Sequence, residues 1–141
     1  MPQLLAAQPT LPCPCGRLGP SKKALAFGHC CGRFLGDLAL TPAPDAESLM
    51  RSRYSAFVLE RADYLLVTWE ASTRPAHIEF DAGVKWLGLD LRQHRLLDAT
   101  HAEVEFVARQ KSPGMAAVRL HERSRFVLEA GRWFYVDGDQ L

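Results

Sequence analysis

The residues best suited to chemistry are four cysteines, all within the first 31 positions: Cys13, Cys15, Cys30 and Cys31. They form two clusters, Cys13-Pro14-Cys15-Gly16 and His29-Cys30-Cys31-Gly32, with fourteen residues, Gly16 to His29, between the pairs. Disulfides are one use for such a set, but here they would staple only a short loop, and no secretory signal points to an oxidising compartment. Redox chemistry is a second, but a lone Cys-x-Cys is a weak signal without a thioredoxin-like strand and helix around it. The third is one structural zinc ion, held in a tetrahedron by two pairs of thiolates with all four positions filled by protein. The spacing favours zinc. Gly16 and Gly32 allow tight turns that bring backbone N–H groups toward sulfur, and Arg17, Lys22 and Lys23 offset thiolate charge. His29, beside Cys30, is the alternative ligand of a three-cysteine, one-histidine site; otherwise it is an exposed loop histidine.

A second set of polar residues lies in apolar register further along. Leu120 and Phe126 define one face of a strand, and Glu122 and Ser124 fall on that face. A buried carboxylate needs a partner, which Arg51, Arg53, Arg123 or Arg125 would supply. Glu122, Ser124 and Arg53 are therefore candidate pocket residues, able to bind a ligand or move a proton. The alternatives are a bulge that turns Glu122 outward and an internal Glu–Arg pair that fixes sheet curvature. Asp90 is a fourth candidate, placed to meet His121 across the sheet; otherwise it is an exposed strand residue. The histidines show no H-x-H or H-E-x-x-H spacing, and no glycine-rich phosphate loop or G-x-S-x-G turn occurs.

The elements that must hold these residues follow from periodicity. Residues 1–11 read as a flexible tail, 12–39 as a zinc-binding segment, and 40–141 as the main domain, entered through a proline-containing linker at Leu40 to Pro44. Asp45 is placed to cap a helix whose apolar face is Leu49, Met50, Tyr54, Phe57 and Val58. Asp63 is placed to cap a shorter helix with Leu65, Leu66 and Trp69, and Ala76 to Ala82 is expected to hold a further helical turn. From Val84 the period changes to two: Leu87, Leu89 and Leu91 alternate with Trp86, Gly88, Asp90 and Arg92. Three more alternating runs follow, around Ala102–Ala108, Ala116–Leu128 and Trp133–Val136. Helices first and antiparallel strands after make an α+β fold with the helices on one sheet face.

The chain has 141 residues, 48% hydrophobic and 23% charged, which is enough apolar material for a core and excludes wholesale disorder. No run approaches the ~20 apolar residues of a membrane-spanning helix. Leu4 to Ala7 is too short an apolar run for a signal peptide, so the cytoplasm is the expected location. Net charge is +1, but residues 1–33 hold four basic residues and no acidic one, a small basic head on a mildly acidic body. A solvated loop or a contact surface for an acidic partner or RNA both fit that head.

The cysteine clusters resemble the SEC-C zinc motif found at the C-terminus of the SecA translocation ATPase. The loop between them is longer than usual, and Arg17-Leu18 replaces the usual Ser-Gly. The body resembles the YchJ-like family through Leu49-Met50-Arg51-Ser52-Arg53-Tyr54, Ala62-Asp63-Tyr64-Leu65, Trp86-Leu87-Gly88-Leu89, Glu122-Arg123-Ser124-Arg125-Phe126 and Gly131-Arg132-Trp133-Phe134-Tyr135. The resemblance implies a nuclear transport factor 2-like (NTF2-like) domain, a curved sheet with helices packed in its cup, and no particular activity. Two function classes fit these residues. In one, a non-enzymatic adaptor uses its zinc knuckle to dock a protein or ribosomal partner. In the other, a binding protein or enzyme uses a small-molecule pocket in the cup. A homodimer is compatible with such a sheet, which often pairs face to face.

Overall fold

The computed structural model describes residues 8–36 and 41–141. After a 3-10 turn, Phe27–His29, come helices α1 (Gly32–Leu35), α2 (Ala46–Val58) and α3 (Ala62–Val67), then strands β1 (Lys85–Asp98), β2 (His101–Lys111), β3 (Val118–Glu129) and β4 (Arg132–Gln140). The strands form one antiparallel meander in the order β1-β2-β3-β4. Among the described residues no helix is long and apolar enough to cross a membrane.

Helix α2 is the central rod. The Asp45 carboxylate accepts the Ser48 backbone N–H at 2.7 Å, satisfying one of the orphan donors of the first turn. The helix then packs on three sides. Leu49, Met50 and Tyr54 go into the core, and Tyr54 and Phe57 meet Trp86 of β1. Ser52 shares a 2.6 Å hydrogen bond with the Tyr64 hydroxyl of α3. Ser48 and Ser55 face the cysteine segment, where their small side chains admit Arg17 and Cys13. Cys13, Cys15, Phe27, Phe34 and Leu35 belong to the same buried cluster as Leu49, Val104 and Phe126. The N-terminal segment and the domain thus share one core.

Several local expectations differ from what is found. Asp63 is not the cap of α3: Arg61 takes that position, and Asp63 sits in the first turn, paired with Arg61 at 2.9 Å. A carboxylate in the first turn still favours the positive helix terminus. Ala76 to Ala82 holds no helix, consistent with the break imposed at Pro75. Pro9 and Leu11, placed in the tail, accept backbone hydrogen bonds from Gly28 and Phe27 at 3.0 and 2.8 Å. Residues 1–7, and Leu40 of the expected linker, lie outside the described residues.

The alternation in β1 is also broken. A register shift lies between Trp86 and Gly88. The extra residue turns Trp86 inward with Leu89 and Leu91, and leaves Leu87 44% exposed. Gly88 accommodates this at φ 150, where an added Cβ would also meet the Arg109 guanidinium at 2.9 Å.

Candidate metal centre and cup pocket

The four cysteine sulfurs lie within 4.8 Å of one another, and all four residues are buried. Cys15 and Cys30 are 3.6 Å apart, far beyond the ~2.05 Å of a disulfide. A tetrahedron with metal–sulfur bonds of ~2.3 Å has sulfur–sulfur edges of roughly 3.8 Å, so the cluster has the size of a tetrathiolate site. His29 is not part of the group.

Local backbone structure brings the sulfurs together. Antiparallel bridges Pro12–Ala26 and Leu18–Ala24 close the loop as a short ribbon, with the Cys13 N–H donating to Leu25 O at 2.9 Å. Gly16 turns the chain at φ 74. Gly32 serves a different purpose, close approach: a Cβ there would stand 2.7 Å from Phe27 O. The Arg17 backbone N–H points to Cys15 Sγ at 3.5 Å, the kind of contact that stabilises thiolate. The nearby cations differ from expectation. Lys22 and Lys23 are exposed, whereas Arg51 of α2 donates to Cys15 O at 3.2 Å and pairs with Glu47 at 3.0 Å.

Without an ion the four thiols titrate as one unit. Hydrogen bonding from Cys15, then Cys30 and Cys31, pulls Cys13 far below the ordinary thiol range. Cys15 and Cys31 are pushed far up, first by the same sharing with Cys13. Cys30 is lowered to about 7: sharing with Cys13 raises it, and hydrogen bonds from Cys15 and Cys31 together outweigh that. Ionisation is thus favoured at Cys13 and Cys30 and opposed at Cys15 and Cys31. A soft divalent cation is the charge that makes four buried thiolates compatible, so the donor set fits a metal ion.

The second site is the cup between α2 and the concave sheet face. It encloses about 350 Å³, walled by Tyr54, Phe57, Trp69, Trp86, Phe106 and Tyr135. Arg53, Glu122 and Ser124 are in this wall; Asp90 is not. Beyond the β1 bulge Asp90 points outward, its side chain 63% exposed and paired with Arg92 at 3.0 Å. Nor does it meet His121, which lies two strands away and bonds Glu105 at 2.8 Å. That contact, more than the one from Arg123, holds the Glu105 carboxyl below its usual range.

Glu122 is not turned outward. The β2–β3 register runs through it without a bulge; the irregularity in β3 comes at Arg125 and Phe126, toward β4. Its carboxylate accepts from Ser124 Oγ at 2.5 Å, Gln140 Nε2 at 2.9 Å and the Tyr135 hydroxyl at 3.4 Å. Among the described residues no arginine pairs with it within 4 Å. Arg53, only 6% exposed, instead donates through Nη1 to Leu65 O and Thr68 Oγ1, both at 2.7 Å. Its guanidinium lies 4.5 Å from the Tyr135 ring centre and 5.1 Å from that of Trp69. Nothing in the sequence by itself marks Trp69, Tyr135 and Gln140 as parts of this site. The signal available was the polar Arg53 beside Met50, Tyr54 and Phe57 on a helix face otherwise apolar.

Comparison with known proteins agrees with this architecture. Residues 45–138 match the family model described as "YchJ, middle NTF2-like domain". A UPF0225 protein from Polaromonas sp. (strain JS666) is 78% identical over 134 residues, 95% of this chain and 96% of the relative. Another, from Bordetella pertussis, is 56% identical, covering 90% of this chain and 91% of the relative. The solution structure of a SEC-C motif containing protein from Rhodopseudomonas palustris superposes with a TM-score of 0.77 at 29% identity, covering 93% of this chain and 99% of the other. The crystal structure of a SEC-C motif containing protein from Psychrobacter arcticus gives 0.76 at 30% identity, covering 92% and 82%. With its N-terminal cysteine cluster joined to an NTF2-like α+β domain, the chain belongs to the YchJ-like UPF0225 family.

Proposed function

We propose that this chain is a zinc-clasped small-molecule-binding protein of the cytoplasm. Cys13, Cys15, Cys30 and Cys31 hold one structural Zn²⁺, and the cup of the NTF2-like domain is the working site. The ion supplies charge neutralisation and a crosslink, with no position left for substrate. The observation that carries the reading is the cup itself: an aromatic-walled cavity of about 350 Å³ into which a few polar groups, Arg53, Glu122 and Ser124, converge. That combination is what small-molecule sites look like. Three donors already engage the Glu122 oxygens, which suits recognition rather than turnover.

A direct test is NMR titration of the zinc-loaded chain with a neutral aromatic probe, 2-phenylethanol. Amide shifts at Glu122, Ser124 and Tyr135 are expected in the wild type. They should vanish in Ala108→Phe, which fills the cup from β2. Equal shifts in that variant at unchanged zinc content would place binding elsewhere and refute the reading.

One feature supports the adaptor reading as a second role. The tip of the cysteine loop presents Leu18, 59% exposed, beside exposed Lys22 and Lys23, an apolar residue flanked by cations. Protein or ribosomal capture that survives Leu18→Ser with Lys22→Glu would remove that role.

A further inference from the structure

Two charges face the cup without meeting. Arg53 is buried, and both of its hydrogen bonds use Nη1 and end on neutral oxygens. Among the described residues no acceptor engages its Nε or Nη2, and the residue lines the cup. A buried guanidinium with three of its five N–H donors idle is an expensive arrangement unless an anion completes it. Side-on, Nε and Nη2 form the fork that grips a carboxylate with two hydrogen bonds.

Glu122 is the opposite charge. Tyr135 stands between the two, its ring against the Arg53 guanidinium and its hydroxyl on Glu122, so roughly one tyrosine ring separates them. The carboxylate is deliberately admitted to the cup. Gly138, opposite Ser124 on β4, leaves the room: a Cβ there would stand 2.8 Å from Glu122 Cδ and 3.0 Å from Cγ. Three donors use three of about four lone-pair sites on Glu122. One acceptor site remains for a ligand.

The charges sum to zero, which disfavours both a simple anion and a simple cation: either would meet one partner and one like charge. We propose that the cup binds a small amino-acid-like zwitterion with an apolar side chain, its carboxylate on the Nε and Nη2 of Arg53 and its ammonium on Glu122. The side chain then lies against Tyr54, Phe57, Trp86 and Phe106. This rests on the small-molecule reading of the cup and adds the ligand class to it.

The test uses the full zinc-loaded chain and four probes with one apolar body: L-phenylalanine, 3-phenylpropionate, 2-phenylethylamine and 2-phenylethanol, measured by calorimetry. L-phenylalanine is expected to bind about ten- to a hundredfold more tightly than 3-phenylpropionate or 2-phenylethylamine, each short of one charged group, the usual effect of one buried charge-assisted bond, and more tightly still than 2-phenylethanol, which lacks both. Glu122→Gln should lower its affinity to that of 3-phenylpropionate and leave 3-phenylpropionate no weaker. Arg53 substitutions also remove the bonds to Leu65 and Thr68 and risk misfolding, so Glu122→Gln is the deciding variant. If any one of the other three probes matches L-phenylalanine, the zwitterion assignment is overturned while small-molecule binding stands. If no probe binds, both fall.

Discussion

Gly138→Ala is a sharp test of how the cup is built, because local and tertiary arguments predict opposite signs. In a strand interior, replacing glycine by alanine ordinarily stabilises by ~0.5–1 kcal/mol through the unfolded chain. Here the new methyl would stand 2.8 Å from Glu122 Cδ and 3.0 Å from Cγ, inside contact distance. The β4 backbone is held by its ladder to β3, so the flexible partner yields and Glu122 swings aside. It then gives up Ser124, at 2.5 Å, and Gln140, at 2.9 Å. Ser124 is buried, and leaving its hydroxyl unpaired costs ~1–3 kcal/mol; the exposed Gln140 contact adds little. The net expectation is a loss of about 1–2 kcal/mol. The assay is urea denaturation of four proteins: wild type, Gly138→Ala, Glu122→Ala and the double variant. In the Glu122→Ala background nothing is left to clash, so the alanine should stabilise by ~0.5–1 kcal/mol, giving a coupling of about 2 kcal/mol. Equal stabilisation in both backgrounds would refute the claim that this glycine exists to admit the carboxylate.

Three further outcomes follow from the same structure. Chelation of the ion should release Phe27, Phe34 and Leu35 from the shared core. At ~1.5–3 kcal/mol each this is about 5 kcal/mol or more, and at roughly 3 °C per kcal/mol the melting temperature should fall by about 15 °C; a shift of a degree or two by calorimetry would show that the segment does not depend on metal. All three tyrosines, Tyr54, Tyr64 and Tyr135, are pushed up to about 12, by burial above all. The folded state therefore holds these phenol protons more tightly than the unfolded chain, whose tyrosines titrate near ~10. Their contribution to stability is complete below pH ~10 and lost as pH rises toward 12. Tyrosinate absorbance should thus rise together with loss of far-ultraviolet circular dichroism, and ionisation near pH ~10 with unchanged dichroism would contradict the burial argument. Asp45→Ala should cost ~1 kcal/mol in urea denaturation, with Asp45→Asn recovering most of it; an unchanged midpoint would mean the 2.7 Å cap bond contributes nothing.

What the sequence discloses here is what is local. Four cysteines in two clusters can be read directly, because the ligand types and their spacing lie in one short segment, and the Asp45 cap with its i, i+3, i+4 apolar face is equally local. The period-two runs mark the strands for the same reason. The bulge at Trp86–Gly88 is hidden, since one added residue leaves composition unchanged while reversing which side chains before it face inward; that is why Leu87 lies outside and Trp86 inside. Arg53 is recognisable as polar among apolar neighbours, but its environment is made by Trp69 and Tyr135, 16 and 82 positions along the chain. The meeting of the cysteine segment with α2 through Ser48 and Ser55 is equally a product of tertiary packing.

Metal binding by Cys13, Cys15, Cys30 and Cys31, the clasp on which the zinc-loaded fold depends, can be measured outright. Elemental analysis of untagged wild-type protein and Cys15→Ser, purified without added metal and paired with thiol titration of the native chains, measures it in one experiment. The account predicts one zinc per wild-type chain, thiols protected from reagent, and loss of zinc in the variant. Metal-free wild-type protein with four freely reactive thiols, melting at the same temperature with and without added zinc, would contradict it.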